Sequence, residues 1–126
     1  MKIGFNEAND RFCKVHSVMK DLEYCEKYGF DYIDIQSECL NRDLEAGKIT
    51  LEKMGEWSKT HHLKMLSYNA LCFFNMKQTQ EEKDAVMAEL DEIIRRCNIL
   101  GCKMIVVVPS KDMKERGLTP TRKEIR

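Results

Sequence analysis

The chain has 126 residues, and its 21 Lys and Arg balance its 21 Asp and Glu, so no net field exists to gather nucleic acid and none is expected as a partner. That length suits one domain with a modest core and no need of disulfide or metal staples. The opening MKIGFNEAND carries acids early and has no long apolar run, which speaks against a signal peptide or a membrane span.

Residues 2–6 are short and apolar, and they read as a buried first strand ending at Asn6 and Glu7. Ser17 is placed to cap a helix whose inner side carries Val18, Met19, Leu22, Cys25 and Tyr28, with Gly29 as its left-handed stop. Residues 30–36 (FDYIDIQ) are aromatic and β-branched, the expected second strand. Residues 37–47 read as a short helical insertion with Leu40 and Leu44, after which Thr50 caps a helix bearing Leu51, Met54 and Trp57. Residues 63–70 are the third strand, and 71–77 form an aromatic-rich loop. Thr79 and Glu82 have the spacing of a capping box, and the helix behind them lines up Val86, Leu90, Ile93, Ile94 and Cys97 before Gly101 ends it. Residues 104–108 (MIVVV) are apolar throughout, as a strand covered on both faces would be. Six cysteines (Cys13, Cys25, Cys39, Cys72, Cys97, Cys102) form no C-x-x-C pair and read as buried free thiols, which points to a reducing cytoplasm.

Strands buried on both faces and separated by helices are parallel, with right-handed crossovers. The expected class is therefore α/β, with Ile3, Ile33, Met65 and Val106 side by side in one curved parallel array and polar tips at a common rim. An internal echo supports a repeated unit: Cys25, Gly29, Ile33 and Ile35 recur in phase as Cys97, Gly101, Ile105 and Val107. No glycine-rich phosphate fingerprint follows the first strand, which disfavours a dinucleotide-binding half. A further helix start at Thr119-Pro120, with Thr121 and Glu124, stands just before the last residue. Residues 1–126 are thus expected to be the parallel (βα)4 N-terminal half of a (βα)8 TIM barrel, cut inside the fourth helix; a flavodoxin-like sheet is the alternative.

The segments FNEA, DLEYCEKYGFDYIDI, TLEKMGEWSKTHHLKMLSYNAL, FFN and GCKMIVVVP together resemble the inosose isomerase (2-keto-myo-inositol isomerase) family of inositol catabolism. That family lies in the xylose-isomerase-like superfamily of sugar phosphate isomerases and epimerases. The resemblance runs over essentially the whole chain and about the first half of a family member. It implies a barrel with one divalent metal, Zn or Mn, that stabilises the enediolate formed when a carboxylate moves a proton beside a carbonyl. It also implies that two Glu, one Asp and one His on later strands hold the metal. This chain alone is then expected to bind no metal, to supply no catalytic residue and to be inactive.

Barrel chemistry gathers at the carboxyl ends of the strands, so the candidate substrate-binding residues are Asn6, Glu7, Asp34, Gln36, Ser67 and Asn69, with Val108 and Pro109 at the fourth strand end. Asp34 and Gln36 share one strand face, as do Ser67 and Asn69, so each pair is set to hydrogen-bond the hydroxyls of a small polyol or sugar; the plainer role is to satisfy buried backbone groups. For Glu7 the plainer role is solvent exposure beyond the strand. Gln36 stands where the resemblance leads one to expect arginine. His61 and His62 point about 100° apart on a helix and precede a strand, which suits a helix C-terminus better than a metal. His16 reads as loop surface. Phe73 and Phe74 suit a lid over an apolar ring face or packing on the rim, and the charged stretches 111–116 and 122–126 read as solvated. A rival of another class is a half-barrel interaction module that closes a barrel as a homodimer through its exposed first and fourth strand edges. An endonuclease-like phosphodiesterase is disfavoured by the neutral charge and three poorly placed histidines.

Overall fold

The computed structural model describes residues 1–9 and 17–109. Within them the order is β1 (Gly4–Asn6), a 3-10 turn (Glu7–Asn9), α1 (Val18–Lys27), β2 (Tyr32–Gln36), α2 (Ser37–Glu45), α3 (Leu51–Thr60), β3 (Lys64–Cys72), a second 3-10 turn (Phe74–Met76), α4 (Gln80–Leu100) and β4 (Met104–Val108). The strands form one sheet in the order β1-β2-β3-β4, all parallel. A flavodoxin-like sheet would place its second strand outside the first, so the sequential order decides for half of a TIM barrel. Cys13, His16, the helix start at Thr119–Glu124 and the charged stretches 111–116 and 122–126 lie outside the described residues.

The echo is structural. After α1, Gly29 has φ 76°, its N–H donates to the Glu26 carbonyl, and Phe30 N–H reaches back to the Cys25 carbonyl. After α4, Gly101 has φ 80°, and both its N–H and that of Cys102 donate to the Cys97 carbonyl. Only glycine takes this left-handed turn without a Cβ penalty, so each helix is closed and the chain is aimed into the next strand by the same device. Cys25 and Cys97 are both buried at these ends.

One core lies between the sheet and the helices, built on Leu22, Ile33, Ile35, Leu40, Met54, Leu63, Met65, Tyr68 and Leu100. Helix starts follow the expected chemistry at two places: Thr50 Oγ1 accepts from Lys53 N–H at 3.3 Å, and Thr79 with Glu82 forms the full capping box. At α1 the structure corrects the expectation. Ser17 makes no side-chain cap; the Val18 N–H instead donates to Asp43 Oδ2 of α2 at 2.9 Å. Asp43 is 1% exposed, with Lys48 and Arg42 facing its other oxygen at 3.5 and 3.7 Å. Asp43 thus satisfies the first free N–H of α1, one position before those that an N-cap hydroxyl reaches. Asp43→Ala is expected to lower unfolding free energy by about 2 kcal/mol, with Asp43→Asn losing less because it keeps an acceptor. Urea unfolding midpoints check both.

Other expectations are corrected as well. β1 and β4 are not buried strands: Ile3, Met104 and Val107 are 49, 51 and 54% exposed. Each is an outer strand of this sheet with no strand on its far side among the described residues. Tyr28 and Ile94 fall on exposed flanks of their helices, and Cys72 is an exposed thiol at the end of β3, which extends two residues past Ala70. The row Ile3, Ile33, Met65, Val106 does not form as such. Phe5 pairs with Ile33 and Ile33 with Met65, whereas Val106 stands level with Asn69. Irregularities between Ile33 and Asp34 and between Asn69 and Leu71 stagger the register, a feature that a count along each strand does not reveal.

Candidate functional site

Ile33 pairs with Met65, so an unbroken ladder would set Leu66 opposite Asp34. The bulge takes up one residue of β3, and Ser67 stands there instead. A hydroxyl thereby replaces an apolar side chain beside a carboxylate. Ser67 Oγ donates to Asp34 Oδ1 at 2.5 Å, and Asn69 Nδ2 donates to Asp34 Oδ2 at 2.9 Å. Both carboxylate oxygens are thus held by charge-assisted bonds from two levels of the next strand, which orients the group. Each oxygen keeps a further lone pair, and the Asn69 carbonyl oxygen also accepts, so the trio offers acceptors to ligand hydroxyls.

Asn6 is the Cα partner of Asp34, and Asp34 that of Ser67, so Asn6, Asp34 and Ser67 form one row across three strands. With Gly4, Tyr32 and Leu66 they line an open cleft of about 230 Å³. Asn6 spends Oδ1 on the Ala8 N–H at 2.9 Å, which starts the 3-10 turn and leaves its amide donors uncommitted by that bond. Gln36 does not join the row. It is buried at the end of β2, in register with Asn69, and its Oε1 lacks a hydrogen-bond partner among the described residues.

Glu7 is the largest departure. It is not in solvent beyond the strand; it is 0% exposed, and its Oε2 accepts the Gln36 N–H at 2.7 Å. Burial, against the opposing pull of that N–H and with the help of Asp21, pushes its carboxyl up to about 8. Asp21 and Asp43, which the sequence reading passed over, both lie near enough to act on it. A signal existed. Asp21 stands three residues after Val18 and four before Cys25, and Asp43 four after Cys39, so helical spacing puts both acids on inner stripes.

Phe73 and Phe74 are exposed at the rim, 48 and 41%, with Phe73 at φ 57° and its N–H bonded to the Val108 carbonyl at 2.9 Å. Val108 and Pro109 are exposed beside them. The histidines stand at the other end of the strands. His61 ends α3, its Nδ1 2.7 Å from the Trp57 carbonyl and its ring stacked on Trp57, while His62 Nε2 lies 2.9 Å from Asp31 Oδ1. Asp31 also accepts the Ile3 N–H at 2.8 Å, and that bond first, then His62, holds its carboxyl below the usual range. A larger cleft, about 470 Å³, opens at this amino end between α3 and α4, around Gly55, Lys64 and Lys103. It shares Tyr32 and Leu66 with the smaller cleft, which is the better candidate despite its size because it gathers oriented polar groups, Asn6, Asp34 and Ser67, from three strands. Burial pushes the Cys39 and Cys102 thiols up to about 11 and about 12, so neither is a ready nucleophile. Among the described residues no three His, Cys, Asp or Glu side chains come together in a way that could hold a metal ion, so these residues do not themselves fit a metal site. No helix among them is long and apolar enough to cross a membrane.

Comparison with known proteins agrees with the fold. The chain is 36% identical over 110 residues to the inosose isomerase of Bacillus velezensis, and 38% identical over 121 residues to that of Bacillus licheniformis. Each match takes in 86% of this chain and 38% of the relative, so the chain spans well under half the length of the curated relatives it matches. Among solved structures, the IOLI protein with a bound zinc atom superposes with a TM-score of 0.83 at 33% identity, over 99% of this chain and 42% of that one. Residues 22–126 match the model of the xylose isomerase-like TIM barrel, and the chain belongs to that family.

Proposed function

We propose that residues 1–126 are the N-terminal part of a metal-dependent sugar or inosose isomerase-epimerase that interconverts keto-inositols or ketoses by proton transfer through an enediolate. The observation that carries the reading is Asp34, in the middle of β2, held by Ser67 and Asn69 of β3. In this reading Asn6, Asp34, Ser67 and Asn69 form a wall that accepts polyol hydroxyls, with Gln36 buried behind it. The identity to inosose isomerases supports the substrate class, and the zinc of the IOLI protein supports a divalent metal, Zn or Mn, in the complete enzyme. Groups outside this chain would hold that metal and move the proton, so the chain alone is proposed to be inactive. A cytoplasmic setting suits its free thiols.

The test is a fusion of this chain to the remaining segment of the Bacillus velezensis inosose isomerase, assayed for keto-inositol isomerisation with Zn supplied. The fusion is expected to be active, and Asp34→Ala to lower its kcat/KM by about 10- to 100-fold, the scale of one or two lost hydrogen bonds to a charged group. An active fusion indifferent to Asp34→Ala would remove the wall. The alternative reading is a half-barrel module that closes a pseudo-barrel as a homodimer. The exposed Ile3, just before β1, and Met104 and Val107 on β4 favour it. Sedimentation of the 126-residue chain as a stable dimer would select it.

A further inference from the structure

Gln36, the last residue of β2, is in register with Asn69 of β3. Two residues earlier on the same strand, Asp34 holds both Ser67 and Asn69. The Gln36 N–H is taken by Glu7, a fully buried side chain that arrives directly from the end of β1. One carboxyl group therefore fastens the strand end that carries the centre of the wall.

Glu7 is not a solitary acid. Its side chain hydrogen-bonds that of Asp21 on α1, and Asp43 on α2 acts on its charge. The Cys39 thiol of α2 also feels Glu7, and Arg42 and Lys48 face Asp43. Two ionised carboxylates offer each other no donor, so a side-chain bond between Glu7 and Asp21 requires a shared proton. Burial raises the Glu7 carboxyl, so the pair holds that proton at neutral pH.

We infer that Glu7 is a positioning residue: as the acid that bridges Asp21 and the Gln36 N–H, it sets the height and orientation of the Asp34, Ser67 and Asn69 wall without touching ligand. The inference rests on the reading of that trio as a polyol wall, and it changes the part that Glu7 plays from ligand contact to support. Both Glu7 oxygens are enclosed, so a ligand in the cleft has no path to them. Glutamine matches the protonated acid in size and neutrality and keeps an acceptor for the Gln36 N–H; alanine keeps neither.

The test follows the isotope-labelled 126-residue chain by NMR from about pH 6 to about pH 9, reading the Asn69 side-chain amide signals and the exchange of the Gln36 amide. In the wild type the Asn69 signals are expected to move with an inflection near pH 8. Glu7→Gln keeps their neutral-pH position and loses the inflection. Glu7→Ala displaces them at every pH and speeds Gln36 exchange about tenfold. Persistence of the inflection in Glu7→Gln overturns the assignment, as does a folded Glu7→Ala with wild-type signals and exchange. Should Glu7→Ala not fold, the Glu7→Gln titration decides alone. No ligand enters these measurements, so an active fusion indifferent to Asp34→Ala would count against the wall and leave the support role of Glu7 standing.

Discussion

Gly55→Ala is expected to destabilise the protein by about 2 kcal/mol net. A methyl group at Gly55, on α3, would overlap the backbone carbonyl oxygen of Ile99 on α4. The obstacle is main chain, so no rotamer change relieves it and the two helices must move apart. Overpacking of this kind costs up to about 3 kcal/mol or more, and alanine's better helix propensity returns about 1. The thermal midpoint should fall by roughly 8 °C at this size. Ile99→Ala in the Gly55→Ala background should not restore it, since Ile99 side-chain atoms are not the closest contact. A Gly55→Ala protein as stable as the wild type would show that α3 and α4 do not pack this closely.

The second large effect is a pH dependence of stability centred on Glu7. Its carboxyl titrates near 4.5 when unperturbed and at about 8 in the folded protein. Between those values the folded state holds a proton that the unfolded chain has released. The contribution of Glu7 to stability is therefore complete below about pH 4.5, declines as pH rises through the window, and levels off above about pH 8. The slope it adds is at most about 1.4 kcal/mol per pH unit. Glu7→Gln cannot titrate and removes that slope, so its advantage in thermal midpoint over the wild type should widen from pH 5 to pH 8. Parallel midpoints for the two proteins across that range would show that Glu7 does not bury a proton.

The two predictions probe different parts of one arrangement. Gly55 sets how closely the outer helices pack and bears on the amino-end cleft, where His61, His62 and Asp31 tie strand starts to helix ends. Glu7 acts at the other end, where it holds the last residue of β2 beside the proposed wall. That division, support at one end and chemistry at the other, is the usual economy of a parallel barrel.

Much of the architecture was legible in the residues alone, because local signals suffice for it. The capping box at Thr79 and Glu82, the cap at Thr50, the glycine stops at Gly29 and Gly101 and the alternation of Ile33 and Ile35 each act within a few residues. They specify strands and helices in an order whose natural outcome is a parallel sheet. The resemblance carried by FNEA, the THH and NAL segments and FFN added the family. The tertiary structure alone decided matters that depend on distant groups. Which residue of β3 faces Asp34 depends on the bulge that takes up Leu66, and strand periodicity cannot register an extra residue. Asp43 rather than Ser17 serves α1, because its carboxylate arrives from α2. Glu7 lies inside rather than in solvent, because α1 and α2, which carry Asp21 and Asp43, come from elsewhere in the chain to its side. A charged residue's burial depends on who surrounds it, and a sequence states its neighbours only along the chain.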